Sequence, residues 1–127
     1  MNILIVDDEP SVCRVLYTAL FDKHSVSILT NGHNAVCVLA DPSHGFDLVM
    51  LDMHMPRLSG PEVIKMINDI VNTNFIIISG DSNIPPEITR RHMVLHKPFT
   101  IDNVREAIEK IRKKRAGHSA NWGQNAY

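Results

Sequence analysis

Five short apolar runs, each separated from the next by a longer stretch of helical period, constrain this chain more than any other feature. The runs are residues 3–6, 26–29, 46–51, 75–78 and 93–96. Four are nearly unbroken β-branched or aliphatic sequence, the mark of strands covered on both faces. The second, Val26-Ser27-Ile28-Leu29, is less continuous and suits a more peripheral strand. Between the runs, Val12, Val15, Leu16, Ala19 and Leu20 form one helical stripe. Val63, Ile64, Ile67, Ile70 and Val71 form a second, and Ile101, Val104, Ile108 and Ile111 a third. Ala35, Val36, Val38 and Leu39 predict a shorter helix that stops at Asp41-Pro42, because proline disfavours helix in the residue before it. Ser59-Gly60-Pro61-Glu62 is a helix start, with a Ser-x-x-Glu capping pattern and proline in the first turn.

Strands that alternate with helices predict a parallel sheet with helices on both faces, and right-handed crossovers leave few topologies open. In such sheets ligands gather outside the carboxyl ends of the strands, where the strand order reverses. At 127 residues one compact domain is expected, over residues 1–115. Residues 116–127 are small, polar and aperiodic, and read as a tail or linker.

A net charge of −1 gives the whole molecule no bias toward nucleic acid or membrane. The charges are unevenly placed. Asp7, Asp8, Glu9, Asp22, Asp41, Asp47 and Asp52 face only Arg14 and Lys23 in residues 1–56, while Arg112, Lys113, Lys114 and Arg115 close the last helix. That basic end reads as a solvated helix terminus rather than a nucleic-acid contact. No apolar stretch approaches the roughly 18 residues needed to span a bilayer. The N-terminus turns acidic at once and lacks the basic region and cleavage site of a signal peptide, so a cytoplasmic location is expected. Cys13 and Cys37 lack metal-type spacing and are expected as buried free thiols in helices.

The strand ends carry the chemistry. Run one leads into Asp7-Asp8-Glu9, run three into Asp52, run four into Ser79 and run five into Lys97-Pro98. Taken singly, each is an ordinary turn, cap or loop residue. Their arrival on four strand ends of one sheet is what points to a site. Carboxylates packed together repel one another and protonate unless a cation neutralises them. Mg²⁺ suits one or two carboxylates plus phosphate oxygens. A remaining carboxylate can attack phosphorus, while Lys97 and the Ser79 hydroxyl cover the other phosphoryl oxygens.

With these residues in place, the chain resembles the response-regulator receiver domain of two-component signalling. The resemblance runs from residue 1 to about 115. It is carried by Ile-Val-Asp-Asp-Glu-Pro at 5–10, Leu-Asp-Met-His-Met-Pro-x-x-x-Gly at 51–60, Ile-Ser-Gly at 78–80 and Lys-Pro-Phe at 97–99. It implies a doubly wound, flavodoxin-like α/β fold with five parallel strands in the order 2-1-3-4-5. It implies Asp52 as phosphoryl acceptor, and Asp7 and Asp8 as the acidic pair for Mg²⁺, Asp8 more directly. Asp52 itself and the backbone carbonyl of His54 complete the metal's protein ligands, Ser79 is the switch hydroxyl and Lys97 its companion. The implied donor is a phosphohistidine on a sensor histidine kinase or a histidine phosphotransfer protein. The receiver is then a signalling phosphoacceptor rather than an enzyme in the ordinary sense, since it catalyses only its own phosphorylation and dephosphorylation. Its labile acyl phosphate acts on a downstream protein or output domain.

Two departures stand out. Val94 occupies the position, three before the lysine, where the family usually carries tyrosine or phenylalanine. Eighteen positions separate Ser79 from Lys97, about one helical turn (roughly four residues) fewer than the family pattern. The fourth helix, with Pro85-Pro86, must therefore be short or irregular, and the output surface unusual.

Other features read more blandly. His54 either contacts the water that hydrolyses an acyl phosphate or is an exposed loop histidine. His92 and His96 flank a strand, whose geometry separates them, so they do not read as a metal pair. Trp122 lies in the polar tail. Two rival functions remain: a receiver-like binding module controlled without phosphorylation, and a Mg²⁺-dependent phosphohydrolase. The latter usually carries Asp-x-Asp after the first strand, where this chain has Asp-Asp. The Gly-rich and Walker-type loops of nucleotide-binding proteins are absent.

Overall fold

The structure is a computed structural model and describes residues 1–67 and 73–117. Its elements run β1 (Asn2–Val6), α1 (Pro10–Leu20), β2 (Ser25–Leu29), α2 (Gly32–Leu39) and β3 (Leu48–Asp52). They continue with α3 (Gly60–Ile67), β4 (Asn74–Ser79), α4 (Pro86–Thr89), β5 (Met93–His96) and α5 (Ile101–Arg115). The strands form one sheet in the order β2-β1-β3-β4-β5, every neighbouring pair parallel. This is the doubly wound α/β topology expected from the alternation.

Strand periodicity divides the core in two. Ile3, Ile5, Leu48, Met50, Ile76, Ile78, Met93 and Leu95 point to one face, where Leu16 and Leu20 of α1 and Val104, Ile108 and Ile111 of α5 cover them. Leu4, Val6, Val49, Leu51, Ile77 and Val94 point to the other, under Ala35 and Leu39 of α2, Val63 and Ile67 of α3 and Ile88 of α4. Because alternate side chains enter different layers, a strand buried on both faces must be apolar throughout. β1 and β3 meet that demand, and β2, at the sheet edge, shows the mixed exposure expected of it.

The helix starts follow their sequence signals. Ser59 N–H donates to Glu62 Oε1 at 3.1 Å and Glu62 N–H returns to Ser59 Oγ at 3.4 Å, the reciprocal cap read from Ser-x-x-Glu. Thr100 and Asn103 make a similar pair at the start of α5. α4 is a single turn of four residues, as the double proline and short spacing require.

Three readings need correction or fall outside the described region. β3 begins at Leu48, not residue 46: Asp47 leaves the strand to accept from the Asn2 N–H at 2.7 Å and from Arg115 at 3.0 Å. Cys13 is buried, but Cys37 is exposed, because Asn31 caps α2 in a register that turns Gly32, Ala35 and Leu39 inward instead. Ile70, Val71 and residues 118–127 of the tail, with Trp122, lie outside the described residues. Among the described residues, no helix is long and apolar enough to cross a membrane.

Gly60 shows how tightly the fold is built against its own strand ends. A Cβ added there would sit 2.4 Å from the Asp52 carbonyl oxygen, well inside van der Waals contact, whereas at Gly80 nothing lies within 4 Å. Gly60→Ala is therefore expected to destabilise the protein by about 2 kcal/mol or more through overpacking against backbone. Gly80→Ala is expected to stay within about 0.5 kcal/mol of the parent. Urea unfolding of the two variants side by side checks the contrast, and equal midpoints would contradict it.

Candidate functional site

The parallel register delivers the chemistry to one edge. Val6 lies beside Leu51, Asp52 beside Ile78, and Ser79 beside His96, so Asp7, Asp52, Ser79 and Lys97 emerge from four adjacent strands. Backbone bonds continue the sheet past the last residues: Met53 N–H donates to the Ile78 carbonyl at 2.8 Å and Lys97 N–H to the Ser79 carbonyl at 2.7 Å. A cis Lys97-Pro98 peptide follows.

Asp7 and Asp52 are almost fully buried, while Asp8 and Glu9 reach solvent. Asp7, Asp8, Glu9 and Asp52 each place one carboxylate oxygen within 4.8 Å of the others. The Lys97 ammonium lies 3.0 Å from Glu9 Oε1, 3.4 Å from Asp52 Oδ1 and 3.5 Å from Asp7 Oδ2. One cation thus contacts three carboxyl groups of a cluster of four. Asp7 Oδ2 and Asp52 Oδ2 are buried with no hydrogen-bond partner, the condition that proteins ordinarily avoid.

The proton affinities follow from this crowding. Burial, then the charge of Asp7, push the Asp52 carboxyl up to about 6, although Lys97 and the His54 N–H pull the other way. Burial also raises Asp7, against the pull of the Glu9 N–H and of Lys97. Burial draws the Lys97 ammonium down, but its bond to Glu9 and the charges of Asp52, Asp7 and Glu9 outweigh that and hold it above its ordinary value.

Such a site fits a hard divalent cation. The donors are carboxylate oxygens, two of them unsatisfied, and the carboxyl charges exceed what Lys97 can balance. Ser79 is buried at the same edge, and its hydroxyl serves its own turn, accepting from the Asp81 N–H at 3.0 Å and donating to the Asp81 carbonyl at 3.3 Å. His54 N–H reaches Asp52 Oδ1 at 3.4 Å, and its exposed imidazole pairs with the Asp81 carboxylate. His92 packs edge-on against Phe75, with burial pulling its pKa down to about 4. His96 lies on β5, one residue before Lys97.

The structure therefore brings Asp7, Asp8, Asp52, Ser79, Lys97 and His54 to one edge. Two participants were not singled out from the sequence, Glu9 as the nearest partner of Lys97 and Asp81 as the partner of His54. Both had a signal. Glu9 continues the Asp-Asp run, and Asp81 follows Ser79 at the same two-residue offset by which His54 follows Asp52.

Comparison with known proteins agrees with this geometry. The family model of the response regulator receiver domain matches residues 3–109. Sporulation initiation phosphotransferase F of Bacillus subtilis is 33% identical over 116 residues, covering 86% of this chain and 91% of that protein. An uncharacterized transcriptional regulatory protein of the same species, YkoG, is 33% identical over 117 residues, covering 87% of this chain and 49% of that protein. The chain thus spans about half the length of YkoG. A crystal structure of a response regulator receiver domain protein from Clostridium thermocellum superposes with a TM-score of 0.76 at 24% identity, covering 92% of this chain and 98% of the other. At that identity it shows the shared fold alone.

The raised Asp52 pKa fixes the sign of a pH effect. Between the ordinary carboxylate value of 3.8 and about 6, the folded chain holds a proton here that the unfolded chain releases. The resulting stability is complete below about pH 4 and is lost as pH rises through about 6. In chelator at pH 7.5, Asp52→Asn is expected to be more stable than the parent by about 1–3 kcal/mol, and the gain to shrink toward pH 4. Urea melts across that range test it, and a variant no more stable at pH 7.5 would refute it.

Proposed function

The chain belongs to the response regulator receiver domain family, and on that premise we propose that it takes a phosphoryl group from a phosphohistidine donor onto Asp52. The observation that carries this reading is the buried Asp52 carboxylate, backed by Asp7 and contacted by Lys97 at the sheet edge. One oxygen of Asp52 attacks phosphorus as the bond from phosphorus to the donor imidazole nitrogen breaks, and that nitrogen regains a proton from solvent. A new P–O bond makes an acyl phosphate. Hydrolysis later breaks that bond and releases inorganic phosphate, which restores the carboxylate.

Each residue has a distinct task. Asp7, Asp8, Asp52 and the His54 carbonyl would hold Mg²⁺. The ion would supply positive charge to the transferring oxygens and relieve the carboxylate repulsion. Lys97 leaves its contact with Glu9 for a phosphoryl oxygen, a charge-assisted bond that grows as negative charge collects on the equatorial oxygens. Ser79 offers its hydroxyl to another. Burial excludes water from the inner side of Asp52, and the exposed Asp8 and Glu9 mark the open side by which the donor arrives. The donor is a sensor histidine kinase or a histidine phosphotransfer protein, the location is cytoplasmic, and the phosphorylated surface acts on an output domain or separate partner.

Incubation with Mg²⁺ and acetyl phosphate, read by intact mass, should give one phosphoryl adduct that is absent without Mg²⁺ and absent in Asp52→Asn. An adduct persisting in that variant would remove Asp52 from its role. A chain that accepts from neither acetyl phosphate nor a histidine donor would be a receiver-like module regulated without phosphorylation. Lys97→Ala should retain Mg²⁺-dependent thermal stabilisation but be phosphorylated about a hundredfold more slowly or worse. Stopped-flow mixing with the donor measures this, and an unchanged rate would exclude Lys97 from the transfer.

A further inference from the structure

Val94 leaves unanswered how the state of the acceptor is read. It is buried on β5, in the core layer that also holds Ile88, and has no ring to turn. Another link joins the site to the surface. His54 stands on the loop from β3 to α3, and its backbone N–H touches Asp52 Oδ1. Its imidazole Nε2 donates to the carboxylate of Asp81, on the loop from β4 to α4. Asp81 in turn holds the Ser79 hydroxyl through both its backbone groups. The acceptor and the switch hydroxyl are thereby tied together by one side-chain bond between two loops.

We propose that His54 and Asp81 are positioning residues whose bond holds the β4–α4 turn, and with it the Ser79 hydroxyl, in the unphosphorylated arrangement, and that phosphorylation of Asp52 opens it. This rests on the phosphoacceptor reading above. The reason is a limit of valence. A serine hydroxyl has one proton to donate, and here that proton goes to the Asp81 carbonyl. Donation to a phosphoryl oxygen requires that bond to break, so the two arrangements are mutually exclusive. The incoming anion also repels the Asp81 carboxylate.

The consequence reaches the surface by a short route. His54 leads into α3 and Asp81 into α4, and the two helices border a groove of about 570 Å³ lined by Pro61, Ile64, Pro85 and Ile88. With α4 only one turn long, little structure lies between the Asp81 turn and that groove. Opening the His54–Asp81 bond therefore changes the spacing of the α3 and α4 starts, and the groove is the surface that carries the phosphorylation state.

The test is amide hydrogen exchange over residues 81–91 of the full chain, with and without Mg²⁺ and beryllofluoride as the phosphoryl mimic. In the parent, the mimic should speed exchange about fivefold, the order expected from loss of one hydrogen bond. His54→Ala and Asp81→Ala should exchange at the faster rate before the mimic is added, with no further change after it, and the double variant should match either single one. A parent that binds the mimic with unchanged exchange over 81–91, or single variants that retain the slow rate, would overturn the proposal while leaving the phosphoacceptor reading intact. Failure of the parent to bind the mimic, seen as no thermal shift, would instead remove the phosphoacceptor reading and this proposal with it.

Discussion

A cluster of four carboxyl groups, three of them in contact with one ammonium, sets the terms for the rest of this molecule. Asp7 and Asp52 are buried side by side, each with an oxygen that makes no hydrogen bond. Left to itself, such an arrangement would splay apart or collect protons, and the elevated proton affinity of Asp52 is the sign of that strain. The sheet prevents the first outcome. β1 and β3 are buried along most of their length and paired in register, so the residues that follow them cannot separate without opening both apolar layers. The hydrophobic core thus sustains an electrostatic arrangement that would not persist on a flexible surface.

Most of the scaffold was legible from apolar spacing alone. Strand runs, helix stripes and the Ser-x-x-Glu cap are local patterns whose physical meaning does not depend on distant residues. The errors arose where tertiary context took over. Phe46 and Asp47 extend the third apolar run in the sequence, but the Asp47 carboxylate finds Asn2 and Arg115, and the strand starts after it. Cys37 fits the composition of a core helix position, yet the register set by Asn31 turns it outward.

The site was legible in its strand-end members because fold class dictates where strand ends go. Asp7, Asp52, Ser79 and Lys97 needed only the topology to bring them together. Glu9 and Asp81 were harder. Each sits beyond a strand end on a loop, where direction is set by turn geometry rather than by periodicity, and each makes its contact across the site to a residue far away in sequence. Such cross-loop pairs leave only a faint trace in the chain, here an equal offset from two neighbouring strands.

The near-contact between Gly60 and the carbonyl of Asp52 has a further meaning. Asp52 is mounted directly on the first residue of α3, with no slack between peptide and helix. Its backbone behaves as a fixed anvil. Any adjustment of the site must then fall to the side chains and loops around it, while the Asp52 backbone stays where it is.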